Sequence, residues 1–231
     1  MKRTIKLLAL VAMAAGVTFA SCQKEENDNG GNADNVEWVD LGLPSGLLWA
    51  NCNLGATSPE EYGDYYAWGE TRPKEVYSWS AYKYCTVDAE GELLTLTKYN
   101  FSADYGTPDS LFTLEAMDDA ATAALGNGAR MPTSADWEEL IRNTTVQWDT
   151  VNGIGGRTFT ADNGNSIFLP AAGYHKDTSM ALVGKSGGYW SSTLSSYDPC
   201  MPEYVQFGKN SMNVLFGALR KSGQSVRAVR K

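Results

Sequence analysis

The sequence predicts an α+β domain, with a few short helices early, a sheet built from short strands late, and long loops between them. Two observations carry the prediction. One stretch alone, residues 133–141, joins a helix start to apolar side chains on a single face, and the chain beyond it reads as strands parted by turn residues. The composition agrees. Twenty-three glycines, twelve tyrosines and seven tryptophans in 231 residues suit strands and shaped loops better than long helices.

In chain order, residues 36–54 alternate in short apolar runs broken by Gly42, Pro44 and Gly46, the pattern of two strands and a turn. Ser58-Pro59-Glu60-Glu61-Tyr62-Gly63 predicts a one-turn helix, with Ser58 as cap, Pro59 at the first position and Gly63 at the end. A dense aromatic segment follows, with Tyr62, Tyr65, Tyr66, Trp68, Tyr77, Trp79, Tyr82 and Tyr84. The alanine-rich run 118–125 is helix-prone and stops at Gly126. In 133–141, Thr133 caps with Asp136 three residues on, while Trp137, Leu140 and Ile141 share a face. Strands are expected at 157–161 and 166–169 around the turn Asp162-Asn163-Gly164-Asn165, then at 188–193, 203–207, 212–216 and 225–230. Trp49, Trp68, Trp137 and Trp190 lie inside these regular patterns and are expected in the core.

Ahead of this domain, Lys2, Arg3 and Lys6 precede the apolar run 7–19, and Ala20-Ser21 supply small side chains before Cys22. That is the three-part build of a secretory signal, and its 13 apolar residues fall short of the ~20 that a spanning helix needs. Phe19-Ala20-Ser21-Cys22 resembles a bacterial lipobox, which implies cleavage after residue 21 and acylation of Cys22. Each buried CH₂ of an acyl chain contributes about 0.8 kcal/mol, so two or three chains form a lasting membrane anchor. Gln23-Lys24-Glu25-Glu26-Asn27-Asp28 resembles the acidic export tag of surface lipoproteins in Bacteroidota-type Gram-negative bacteria. The expected location is therefore the outer membrane, lipid-anchored and facing outward. Residues 22–35 hold no aliphatic side chain larger than alanine and read as a flexible tether, which leaves 36–231 as one domain.

The leader carries three of the 19 basic residues and none of the 27 acidic ones, so the mature chain has a net charge of −11. Such a surface argues against nucleic acid or anionic lipid as a partner. Cys52, Cys85 and Cys200 remain after acylation; in an oxidising envelope two of them can pair, leaving one over. None has metal-ligand spacing, and His175 is the single histidine, so no metal or other cofactor is expected. His175 follows Gly173-Tyr174 and reads as a surface turn residue. Gly184-Lys185-Ser186 lacks the earlier glycine of a phosphate loop, since position 179 is Ser179, and no serine sits in a GxSxG elbow. Glu60, Glu61, Asp64 and Glu70 crowd the aromatic segment as acids would in a glycosidase cleft, where catalysis depends on a carboxyl separation that sequence does not give. Tyr77, Trp79 and Tyr82 are the candidate ligand-binding residues, rings whose exposed faces would stack on a sugar or pack on an extracellular protein.

Several stretches together resemble one family. They include Val39-Asp40-Leu41-Gly42-Leu43-Pro44-Ser45-Gly46, Leu48-Trp49-Ala50-Asn51-Cys52-Asn53-Leu54-Gly55-Ala56 and Glu61-Tyr62-Gly63-Asp64-Tyr65-Tyr66-Ala67-Trp68-Gly69-Glu70-Thr71. Arg130-Met131-Pro132-Thr133, Phe168-Leu169-Pro170-Ala171-Ala172-Gly173-Tyr174, Gly188-Tyr189-Trp190-Ser191-Ser192 and Ser225-Val226-Arg227-Ala228-Val229-Arg230 complete the set. In this order they resemble the Fibrobacter succinogenes-type major paralogous domain of secreted and lipid-anchored bacterial proteins. The resemblance implies a relative of the sulfatase-modifying-factor and C-type-lectin-like fold, a compact core with long variable loops. The helix start at Arg130–Glu138 is similar to that of the sulfatase-modifying factors, and Arg227 to the closing strand of that fold. Two departures weigh against the fold's best-known activities. Formylglycine-generating members use a close cysteine pair late in the chain, where Cys200 stands alone here. Sugar-binding lectins hold calcium through a Trp-Asn-Asp strand, where Trp190 is followed by Ser191-Ser192. The expectation is a non-catalytic binding or adhesion module for a glycan or protein ligand. Its alternatives are a sulfatase-modifying-type oxidase or glycoside-active enzyme, and an accessory subunit of a surface fibre.

Overall fold

The structure, a computed structural model, describes residues 36–231. The signal segment 1–21, Cys22 and the tether lie outside the described residues. The elements are β1 (Trp38–Asp40), β2 (Leu48–Ala50), β3 (Cys85–Val87), β4 (Leu93–Leu96), α1 (Ala120–Leu125), α2 (Ser134–Arg142), β5 (Thr144–Val151), β6 (Ile154–Ala161) and β7 (Ser166–Pro170). The short pair β8 (Tyr174–Lys176) and β9 (Ser179–Ala181) follows, then β10 (Ser186–Trp190), β11 (Glu203–Gly208), β12 (Met212–Gly217) and β13 (Val229–Arg230). Mostly strand with two short helices, the domain is α+β in architecture.

Strand pairing within the named sheets is antiparallel. The first and last strands meet in the sheet β1-β2-β13, which closes the domain. A second sheet, β5-β6-β7, is a meander whose β6–β7 turn is the expected Asp162-Asn163-Gly164-Asn165. The third, β10-β11-β12, divides the core, because successive side chains of a strand point to opposite faces. Trp190 and Tyr204 face one apolar cluster with Trp68, Tyr99 and α1. Tyr189, Val205 and Phe207 face another with Trp49, Trp137, Phe159 and Leu169. All four tryptophans expected in the core are fully buried, and Trp49 and Trp137 meet with ring centroids 4.8 Å apart.

The helices form where local chemistry specifies them. In α2 the Thr133 hydroxyl accepts from Asp136 N, while the Asp136 carboxylate accepts from Thr133 N at 2.7 Å, a reciprocal cap. Trp137 and Leu140 carry its buried face. Ser134 Oγ donates to the Glu203 carboxylate of β11, which places an acid at the positive end of the helix. In α1 the Asp119 side chain caps Thr122 N at 2.9 Å, and the backbone turns away at Gly126.

Three expected elements differ. The strand expected at 188–193 runs from Ser186 to Trp190, and residues 191–193 fall outside it. Residues 58–63 form turns rather than a helix, because the Glu61 carboxylate accepts from Thr57 N and Ser58 N and so orders the loop by a side chain. Gly63 is held at φ +68°, where a Cβ would stand 2.4 Å from Leu54 O, so the chain passes too close there for any other residue. The expected strand 225–230 shrinks to Val229–Arg230, since the segment before it follows Gly188 and Tyr189 through Ser225.

Candidate binding surface

The three rings expected to meet a ligand are interior. Tyr77, Trp79 and Tyr82 are 1, 7 and 4 % exposed and form a third apolar cluster with Ala67, Leu96 and Cys200. The polar tips of the two tyrosines are satisfied inside the protein: the Tyr77 hydroxyl donates to Tyr65 O at 2.6 Å, and that of Tyr82 to Trp68 O at 2.7 Å. Cations cover what remains. Lys74 Nζ lies 5.5 and 5.7 Å from the Tyr77 and Tyr82 rings, held by Glu70 at 2.7 Å, and Lys221 Nζ stands 5.5 Å over Trp79. As placed, these rings offer no free face for stacking, which corrects the sequence-based expectation of exposure.

The candidate reactive groups are likewise partly or wholly buried, or held by hydrogen bonds. His175 is half-buried on β8 rather than on a turn, 4.8 Å from the Tyr77 ring and 5.7 Å from that of Tyr65. Burial lowers its pKa, and its Nδ1 finds no partner among the described residues. Cys52, Cys85 and Cys200 are free thiols, so the pairing of any two is not formed. Burial raises the pKa of all three, that of Cys200 to about 12, which opposes the thiolate that nucleophilic chemistry needs. Among the acids, Glu60 accepts from Asn152 at 2.6 Å, Glu61 from Thr57, and Glu70 from Lys74 and Lys83 N. Those hydrogen bonds hold the Glu60 and Glu61 carboxyls below the usual range, the reverse of what a glycosidase general acid requires.

A fourth constellation has no sequence signal. Asp118, its carboxylate fully buried, accepts from Lys98 Nζ at 2.6 Å, Lys83 Nζ at 3.2 Å, the Tyr99 hydroxyl at 2.7 Å and the Tyr84 hydroxyl. Burial alone would raise its pKa. The donors from Lys98, Tyr84, Tyr99 and Lys83 outweigh burial and bring it down to about 2. Lys98 also pairs with the Glu115 carboxylate, so two acids balance the two lysines, and the group ties the 98–99 segment to α1's approach. The cavity between β2 and the end of α1, lined by Cys52, Asn53, Leu54 and Leu125, holds about 10 Å³, room for roughly one water.

What stays open to a partner is an exposed aromatic on a fixed loop. Residues 191–202 join β10 to β11, with Leu194, Ser195, Pro199 and Cys200 buried. Tyr197 N donates to Ser195 Oγ at 3.2 Å, Cys200 N to the Asp198 carboxylate at 2.8 Å, and Arg220 N to Cys200 O at 2.9 Å. From this pinned frame Tyr197 projects with 93 % of its surface exposed. In the sequence its one signal is a single aromatic among Ser195, Ser196, Asp198 and Pro199. On one side of the loop, Leu194 N donates to Phe112 O at 2.8 Å, and Phe112 stacks on Phe101 with one face open.

On the other side lies β12. Tyr204 pairs with Phe216 and Gln206 with Asn213, so β12 carries one extra residue between them. Such a bulge reverses the side-chain alternation. Met212 packs on the second cluster beside Phe207, yet Phe216 is turned to the face of Tyr204, where it is 62 % exposed. Comparison of the chain with protein-family profiles, with curated proteins and with solved structures gives no match.

Proposed function

We propose that this chain is a lipid-anchored protein of the bacterial outer-membrane surface whose domain is a non-catalytic binding or adhesion module, taking a glycan or an extracellular protein. The observation that carries the reading is Tyr197, a fully presented ring on a loop whose ends are buried and hydrogen-bonded. A rigid scaffold presenting loop residues is how binding surfaces are commonly built, and a tyrosine supplies large contact area at small entropic cost. Engaged thiols and ionised, hydrogen-bonded acids favour binding over catalysis. The motif order from Val39 to Arg230, the sheet that joins β1 to β13 and the long loops support a C-type-lectin-like fold for the module. Tyr197→Ala is expected to leave thermal stability within about 1 kcal/mol of the parent, as exposed positions do. Binding to whichever glycan or protein an array of both identifies should weaken at least tenfold, roughly the 1.4 kcal/mol of one buried ring face. Unchanged binding by a folded Tyr197→Ala protein would remove this loop from the account.

A further inference from the structure

The hairpin β8–β9 and the turn after it carry three exposed apolar side chains within four residues: Met180, Leu182 and Val183, at 40, 46 and 39 %. Leu182 adopts φ +57°, a left-handed conformation in which a bulky side chain is disfavoured. The strain is held in place. Lys185 N and Ser186 N both donate to Leu182 O, at 2.9 and 3.0 Å, and Gly173 packs so closely that a Cβ there would lie 2.2 Å from Ala181 O. The backbone is therefore fixed while the leucine side chain gains little burial within the domain. A strained leucine held outward answers to something outside the domain.

Charge indicates what that is. The tip is flanked by Lys176 and Lys185, both exposed, and Asp177 is the one acid from Tyr174 to Ser186, in a mature chain of net charge −11. Apolar side chains between lysines suit the boundary of a bilayer, where methyl groups enter the acyl region and ammonium groups remain among phosphates. We propose that residues 180–183 form a second, reversible membrane contact that docks the domain on the bilayer to which Cys22 is anchored. The inference rests on the anchored reading for its setting. Anchor and tip nonetheless fail separately, because acyl chains hold the protein whatever the tip does.

The test uses the mature chain, residues 22–231, carrying Cys22→Ala so that no acyl chain contributes. It is sedimented with vesicles of phosphatidylethanolamine and phosphatidylglycerol and, separately, of phosphatidylcholine alone. The expected result is binding to the anionic vesicles that falls with added salt, and at least a tenfold loss in Leu182→Asp/Val183→Asp with an unchanged melting temperature. Leu182→Gly, which relieves the strain but removes the side chain, should also weaken binding while raising stability, so a folding defect cannot mimic the result. The proposal is overturned if the parent stays in the supernatant at every lipid concentration, or if the double variant sediments equally well. It is likewise overturned if the parent is a dimer that the double variant dissociates, since the tip would then contact a second copy.

Discussion

Arg227→Met is expected to destabilise the domain by at least about 4 kcal/mol. Arg227 is fully buried, and no carboxylate is among its hydrogen-bond partners. Its charge is held by acceptors instead. Nε and Nη2 donate to Asn53 Oδ1 at 3.1 and 2.8 Å, Nη1 to Ala50 O and Asn51 O at 3.1 and 2.9 Å, and Nη2 also to Phe168 O at 2.8 Å. One guanidinium thus joins the end of β2, the segment after it and β7. Burial pushes the Arg227 pKa down, and the five bonds keep the group in place despite that cost. Methionine fits the volume but strands four acceptors, each worth about 1–3 kcal/mol when left unpaired. A loss of at least about 4 kcal/mol is a large fraction of the stability of an ordinary domain, about 5–15 kcal/mol. Arg227→Lys should rescue little, because a compact ammonium has three donors and cannot span the fork. Denaturant unfolding decides the matter: a Met variant within about 1 kcal/mol of the parent would show that these bonds contribute nothing net.

Asp118→Asn is expected to cost about 3–5 kcal/mol at neutral pH, the range for breaking a buried charge pair from one side. The amide keeps one acceptor oxygen and turns its nitrogen toward the donors Lys98, Lys83, Tyr84 and Tyr99. Tyr99 makes the site costlier to disturb. It sits at φ +57° and fully buried, and it is held there by Asp109 at its nitrogen, Asp118 at its hydroxyl and Arg220 at its carbonyl. The pH dependence follows from the native pKa near 2, below the ordinary 3.8. Between those values the unfolded chain binds the extra proton, so the carboxylate's contribution is complete above about pH 4 and is lost as pH falls through 2. Stability measured for parent and variant should differ by a constant amount from pH 7 to about pH 5. The two curves should then converge toward pH 2, and curves that stay parallel into acid would mean that Asp118 is not the ionised partner.

The parts of this fold that are legible in the sequence are those decided within a few residues. The α2 start is readable because Thr133 and Asp136 cap each other, and the β6–β7 turn because Asn163 and Gly164 suit its backbone. The tryptophans in regular patterns are core for the same reason. Tyr77, Trp79 and Tyr82 are different. Their neighbours Arg72, Lys74 and Lys83 give the segment a surface composition, but Lys74 folds back over the rings, and their hydroxyl acceptors, Tyr65 O and Trp68 O, come from a separate stretch of chain. Arg227 reads as one residue of a last strand, and only Asn53 and Phe168, 174 and 59 residues away, reveal its bonding. The exposure of Phe216 depends on one extra residue in β12, which a regular alternation of sides does not anticipate. Tyr197 is open because the frame from Ser195 to Cys200 closes beneath it, a matter of tertiary contact that composition does not encode.

The most direct test of a surface-anchored binding module is the fate of the domain when Cys22 is changed. Whole cells are treated with protease and then fractionated, for the parent and for Cys22→Ala. The account predicts that the parent sediments with outer membranes and is digested on intact cells. Cys22→Ala should leave the membrane pellet, with any reversible contact at the 180–183 tip washed away by salt. A Cys22→Ala protein that remains in salt-washed membranes, or a parent that is protected on intact cells and digested only after lysis, would contradict it.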